Sequence, residues 1–159
     1  MSAYSIYPRR TKWIIVAIGF FTSALIILYW VLWFVARDVV ATFNTEAYYE
    51  FEQAFVLADS YLGLVALIGV IGLCFDKRWA VFFTFTAGSA GLYVGCMDFL
   101  YDMQHGVWDF ADSQNAGGAA IELCIVVYTL CASGYVLAWS WWVIDRELTQ
   151  KNSVEAQRL

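Results

Sequence analysis

Three stretches of this 159-residue chain, 13–36, 79–97 and 123–144, contain no charged side chain, and a fourth, 51–75, is interrupted only by Glu52 and Asp59. An α-helix rises ~1.5 Å per residue, so about 20 apolar residues cross a ~30 Å hydrocarbon core. Each window is long enough to do so. Backbone N–H and C=O groups in lipid must bond within the protein, which leaves only helices or a closed barrel. The runs are too long for barrel strands and lack the apolar/polar alternation that such strands need. Pro8, the only proline, precedes every window, so no span has a proline kink. The chain is 62% hydrophobic and only 14% charged, with a mean hydropathy of +0.62. That is too few charges to cover a soluble domain.

The expected fold is therefore an all-α integral membrane protein, with four transmembrane helices in an up-down bundle. Residues 1–12 form an N-terminal segment, 13–145 a single membrane domain with helices at about 13–36, 51–75, 79–103 and 118–145, and 146–159 a C-terminal tail. The apolar part of the first span is too long for a secretory h-region, and no A-x-A-like site follows it, which predicts an uncleaved helix.

Charge placement predicts orientation. With four spans, Arg9, Arg10, Lys12, Lys77, Arg78, Arg146, Lys151 and Arg158 share one side and only Arg37 lies opposite. The positive-inside rule makes that side, with both termini, cytoplasmic. Ten of the fourteen acids fall in the outer half or outer loops. The net charge of −5 thus hides a strongly negative outer end, suited to cations or a basic partner and unsuited to nucleic acid. The loop acids Asp38, Glu46, Asp109 and Asp112 read as solvated charges. Trp13, Trp79, Trp139, Trp141 and Trp142 are expected in an inner aromatic belt. Tyr29, Trp30, Trp33, Tyr48, Tyr49, Tyr101 and Trp108 are expected in an outer one.

Asp59 is the most informative residue. It lies about eight residues into its span, and an ionisable group at that depth is costly unless it faces the bundle interior, a partner or water. Asp98, Asp102 and His105 stand at i, i+4 and i+7, on one helix face. Glu122 enters the fourth span at similar depth. The candidate site is therefore Asp59, Asp98, Asp102 and Glu122, with Glu52 at its lip. Asp102 and His105 have acid-x-x-His spacing, a fragment of a metal-binding pattern. A di-iron site needs that motif twice, whereas a divalent cation such as Ca²⁺ or Mg²⁺ needs only oxygens. The bland alternative for His105 is a helix-end group satisfying carbonyls just before Gly106.

Gly88, Gly91 and Gly95 give the third span a small-residue stripe, expected to pack tightly inside the bundle rather than form a homodimer seam. The four cysteines form no C-x-x-C pair; Cys96 and Cys124 lie at comparable depth and can meet. With one histidine and no phosphate-binding loop, neither haem nor nucleotide is expected.

Two segments, FEQAFVLADSYLG (51–63) and GSAGLYVGCMDFLYDMQHG (88–106), resemble a pattern found in small four-span bacterial membrane proteins, which implies a bacterial inner (plasma) membrane and assigns no activity. A looser similarity links the chain to sterol-isomerase-like membrane proteins, which place acids and a histidine in an apolar pocket; no residue is carried over from it. Three readings follow. The first is a protein whose outward-facing acidic pocket binds a cation or a small polar or amphipathic ligand. The second is a small membrane enzyme doing acid–base chemistry on a lipid-like substrate, with Asp59 and either Asp98 or Glu122 as the working pair. The third is an accessory subunit of a membrane complex.

Overall fold

The computed structural model describes residues 7–108 and 116–156, with the side chains of 119–149 in the last helix. Asp109, Asp112 and Arg158, and the side chain of Lys151, lie outside this description. Among the described residues, six helices follow in order: α1 (Arg9–Val35), α2 (Arg37–Val40), α3 (Glu46–Gln53), α4 (Val56–Cys74), α5 (Ala80–His105) and α6 (Ala116–Ala156). Four stretches of them are long and apolar enough to cross a membrane: Arg9–Val35, Glu46–Cys74, Ala80–His105 and Ala119–Thr149. Phe20 (63% exposed), Leu57 (82%) and Phe82 (63%) stand on the outside of the bundle. Large apolar side chains exposed at this density need a hydrocarbon solvent. The chain is an all-helical membrane protein.

Local signals explain the helix ends. Pro8 precedes the first turn of α1, where a missing N–H costs nothing, and its carbonyl accepts the Lys12 N–H at 2.9 Å. Thr45 caps α3 by accepting from the Tyr48 N–H. At the end of α4 the Lys77 N–H reaches the Gly72 carbonyl (2.8 Å) and the Asp76 N–H the Leu73 carbonyl (3.1 Å). These two bonds form a Schellman closure, with Asp76 in the left-handed position at φ 51. Gly106, at φ 65, ends α5 in the same region, where a side chain would be strained.

Two boundaries differ from expectation. The second span is not one uniform helix. Residues 54 and 55 separate α3 from α4 by a tightened turn, in which the Ala54 N–H bonds Phe51 (3.1 Å) and the Phe55 N–H bonds Glu52 (2.9 Å). The last helix continues to Ala156, because 146–156 contains charges but neither glycine nor proline. Charge ends the apolar window without ending the helix.

Neighbours in sequence are neighbours in space: α1 packs on α4, α4 on α5, and α5 on α6. A glycine stands at each contact. A Cβ on Gly19 would meet Val70 at 2.7 Å, one on Gly69 would meet Thr84 at 3.0 Å, and one on Gly91 would run into the Ser133 hydroxyl. The stripe in α5 therefore serves the α5–α6 contact within the bundle. Side chains also reach α6 from the N-terminal part of the chain: the Thr22 hydroxyl of α1 and the Tyr128 hydroxyl bond at 2.9 Å, and the ring of Tyr7, just before α1, lies 5.8 Å from that of Trp139.

One end of the bundle is basic. Buried Lys12 pairs with Asp76 at 3.0 Å, and the Tyr7 phenol donates to the carbonyls of Lys77 (2.8 Å) and Arg78 (3.2 Å). Burial pushes the Tyr7 phenol up to about 12, so it remains a donor. Trp139, expected in the belt, is buried with Tyr7, Ile15 and Leu73, because α6 turns that face toward α1 and α5. Trp13, Trp79, Trp141 and Trp142 are exposed, as a belt requires. A cavity of about 30 Å³ lies at mid-bundle, with Thr22, Leu62, Thr84 and Ser133 in its lining.

The glycine contacts are not equivalent. A Cβ on Gly88 would meet the Leu137 backbone at 2.7 Å, which cannot swing away, whereas one on Gly134 meets nothing within 4 Å. Gly88→Ala should therefore lower stability by about 1–3 kcal/mol. Gly134→Ala should leave it unchanged or raise it by up to about 1 kcal/mol. Thermal unfolding of both variants in the same detergent measures the contrast.

Candidate acidic site

The opposite end of the bundle gathers carboxyl groups from three of the spans. Glu52 comes from α3 and Asp59 from the first turn of α4, Asp98 and Asp102 from successive turns of one face of α5, and Glu122 from the start of α6. All five are buried or half-buried. Glu52 lies near enough to Asp59, Asp98, Asp102 and Glu122 to interact with each electrostatically. Asp98 in turn interacts with the other four. The spacing of Asp98 and Asp102 puts them on one face of α5, as the sequence predicts. Glu52 lies on α3, separated by the tightened turn at 54–55 from Asp59 on α4.

Neutral donors hold three of the acids. The Tyr29 phenol donates to Glu52 Oε2 at 2.7 Å. The Trp30 indole donates to Asp59 Oδ2 at 3.1 Å, so Asp59 faces the bundle interior and not lipid. The Thr42 hydroxyl, in the connection after α2, donates to Glu122 Oε2 at 3.3 Å. The Tyr48 phenol also faces Glu52.

Among the described residues, no basic side chain pairs with these acids. Within ion-pair distance those residues hold one pair, Lys12 with Asp76, at the far end of the bundle. Arg37, the only base expected on this side, is engaged elsewhere. Its guanidinium lies over the Trp33 ring at 5.1 Å and the Tyr49 ring at 4.8 Å. Asp102 is 5% exposed, and its Oδ2 is buried without a hydrogen-bond partner among the described residues. The Trp108 indole comes near Asp102 without reaching hydrogen-bond geometry.

The aromatic residues expected in an outer belt are in part interior. Trp30, Trp33 and Tyr48 are buried together, with Tyr29, Phe43, Tyr49 and Tyr101 packed against them. The Tyr29 phenol and the Trp30 indole have partners inside the bundle, which a lipid-facing position would not supply. These rings are the site residues that sequence reasoning assigned elsewhere. The available signal was depth: Trp30 and Asp59 lie at matching distances from the same end. Thr42 had no signal, because its position depends on a connection whose path no periodicity describes.

His105 makes no hydrogen bond to a carboxyl group among the described residues, though it lies near enough to Asp102 to interact with it electrostatically. It is exposed, its Nδ1 lies 2.9 Å from the Tyr101 carbonyl of its own helix, and its ring stacks on Tyr101 with centroids 4.0 Å apart. Among the described residues no three His, Cys, Asp or Glu side chains stand close enough to hold a metal ion together. Cys96 and Cys124 are both free and exposed. Compared with known proteins, the chain matches no protein-family model, no curated protein and no solved structure.

The donors on the carboxyl groups are removable one at a time. Tyr29→Phe deletes one hydroxyl and leaves the ring, so it should cost about 1–1.5 kcal/mol through the unanswered Glu52 oxygen. In a Glu52→Gln background the same change should cost clearly less, since the two residues share one bond. A double-mutant cycle read by thermal unfolding measures that coupling.

Proposed function

We propose that this chain is an integral membrane protein whose acidic end faces outward and binds a cation or a small polar or amphipathic ligand. The observation that carries the reading is that, among the described residues, none of these acids has an ion-pair partner. Five carboxyl groups share this end, and those of Glu52, Asp59 and Glu122 accept from neutral phenol, indole and hydroxyl donors. Like charges held together and partly removed from water repel one another, and the cost grows as the local dielectric falls. A bound cation, or the positive group of a ligand, relieves that repulsion in a way that Tyr, Trp and Thr donors do not.

Orientation follows from the opposite end. Arg9, Arg10, Lys12, Lys77, Arg78 and Arg146 lie there, on the side that the positive-inside rule assigns to the cytoplasm. On this reading the four spans run up and down, both termini are cytoplasmic, and the carboxyl groups open to the outside of a bacterial inner membrane.

The test is ligand-linked stability. Purified protein in zwitterionic-lipid nanodiscs should melt at a higher temperature as NaCl, MgCl₂, CaCl₂ or an alkylammonium chloride is raised at constant ionic strength, for at least one of these cations. A ligand at 100 times its Kd adds about 2.7 kcal/mol. Glu52→Gln should flatten the response, while Asp38→Asn, in α2 and away from the acidic cluster, should retain it. A wild-type melting curve indifferent to all four cations overturns the proposal.

A further inference from the structure

We infer that the basic end of the bundle is a docking surface for anionic phospholipid headgroups, whose phosphates accept from Arg9, Arg10, Lys77, Arg78 and Arg146. Such docking requires neither a ligand at the acidic end nor a particular direction of insertion.

On three separate elements an exposed tryptophan has an exposed base beside it, on the side of the bundle's end. On α1, Arg9 and Arg10 stand one turn outside Trp13. In the connection between α4 and α5, Lys77 and Arg78 directly precede Trp79. On α6, Arg146 stands one turn outside Trp142, with its guanidinium 4.7 Å from the centre of that ring. All these side chains are exposed. Exposed tryptophans mark the boundary between hydrocarbon and headgroups, and one further helical turn advances about 5 Å toward water. The bases therefore stand at the depth of the phosphates, which long Arg and Lys side chains reach while their stems stay on apolar surface.

Four of the bases are held in one patch. The Tyr7 phenol donates to the Lys77 and Arg78 carbonyls at 2.8 and 3.2 Å. Arg9 and Arg10 follow Tyr7 closely, within ~11 Å of even fully extended chain. Asp76, the acid of that connection, is engaged by buried Lys12 at 3.0 Å. Two further acids, Asp145 and Glu147, flank Arg146 on α6. Among the described residues none of the exposed bases has an ion-pair partner.

The surroundings select a lipid over an acidic protein. Next to these bases stand exposed apolar side chains, Ile14 on α1, Phe75 after α4 and Phe82 on α5. A phospholipid answers both features at once, with its phosphate on the base and its chains along the apolar face below. A soluble acidic partner answers only the first. The acidic end offers no counterpart to this arrangement among the described residues, because Arg37 there lies against the Trp33 and Tyr49 rings. The preference for anionic lipid therefore belongs to the leaflet at the basic end.

The experiment uses the full chain, reconstituted in vesicles of equal parts phosphatidylcholine and phosphatidylglycerol with the same acyl chains. The protein is extracted in a non-ionic detergent at low salt, and the lipid that stays bound is quantified by mass spectrometry. Phosphatidylglycerol should be enriched over the starting mixture, each base contributing up to about fivefold in affinity. Arg9→Gln combined with Arg78→Gln should remove most of the enrichment, and so should extraction at high salt. Asp38→Asn, near the opposite end, should leave it unchanged. If the paired variant fails to fold, Lys77→Gln combined with Arg146→Gln carries the same expectation. Equal retention of the two lipids by the wild type overturns the docking surface, as does an enrichment that survives both pairs of substitutions. Binding of soluble poly-glutamate without enrichment of phosphatidylglycerol overturns it in favour of an acidic protein partner.

Discussion

Close approach of helix backbones is the constraint on which the rest of this structure depends. In hydrocarbon there is no hydrophobic gain from pressing one apolar helix on another, so association relies on packing and interhelical hydrogen bonds. Here the packing goes through glycine. Gly19 admits Val70, Gly69 admits Thr84, and Gly88 lies against the Leu137 backbone. Each contact sets the rotation of its helix about its own axis. The rotation of α5 that points Gly88, Gly91 and Gly95 at α6 also decides where Asp98 and Asp102 point, since they continue the same helix. The acidic site is thus a consequence of packing a few turns away.

The two ends of the bundle handle charge in opposite ways. At the basic end a buried lysine has its carboxylate, Lys12 with Asp76 at 3.0 Å. The turn that presents Asp76 is closed by two backbone bonds and by Tyr7. At the acidic end, carboxyl groups have neutral donors, and four of the five buried side-chain atoms without partners among the described residues lie on Trp33, Arg37, Asp102 and Trp108. Unmet polar groups concentrated at one end of a bundle are unusual for a purely structural element, because each costs stability that an apolar substitute would not. This asymmetry is the reason for reading the acidic end as the functional one.

Aromatic residues gain a second role from the same asymmetry. A tryptophan near a membrane boundary is ordinarily an interfacial anchor, and Trp13, Trp79, Trp141 and Trp142 fit that description by their exposure. Trp30 does not, because its indole N–H is turned inward to Asp59. Holding a carboxyl group with an indole or a phenol supplies a directed bond and an apolar wall without neutralising the charge.

The division between sequence and tertiary structure runs along what is local and what is not. Span number, helical class and the gathering of acids and bases at opposite ends come from runs of residues and helical rise, which are properties of each segment alone. The i, i+4 spacing of Asp98 and Asp102 likewise put them on one face before any packing was known, and the depths of Asp59 and Glu122 followed from counting. Facing was not available in this way. Whether Trp30 looks at lipid or at Asp59, and which donor each acid meets, depend on the rotation of each helix about its axis. A uniformly apolar span carries almost no periodicity to report that rotation, since every face is greasy. The glycine contacts between helices decide it, and they exist only once the helices have met.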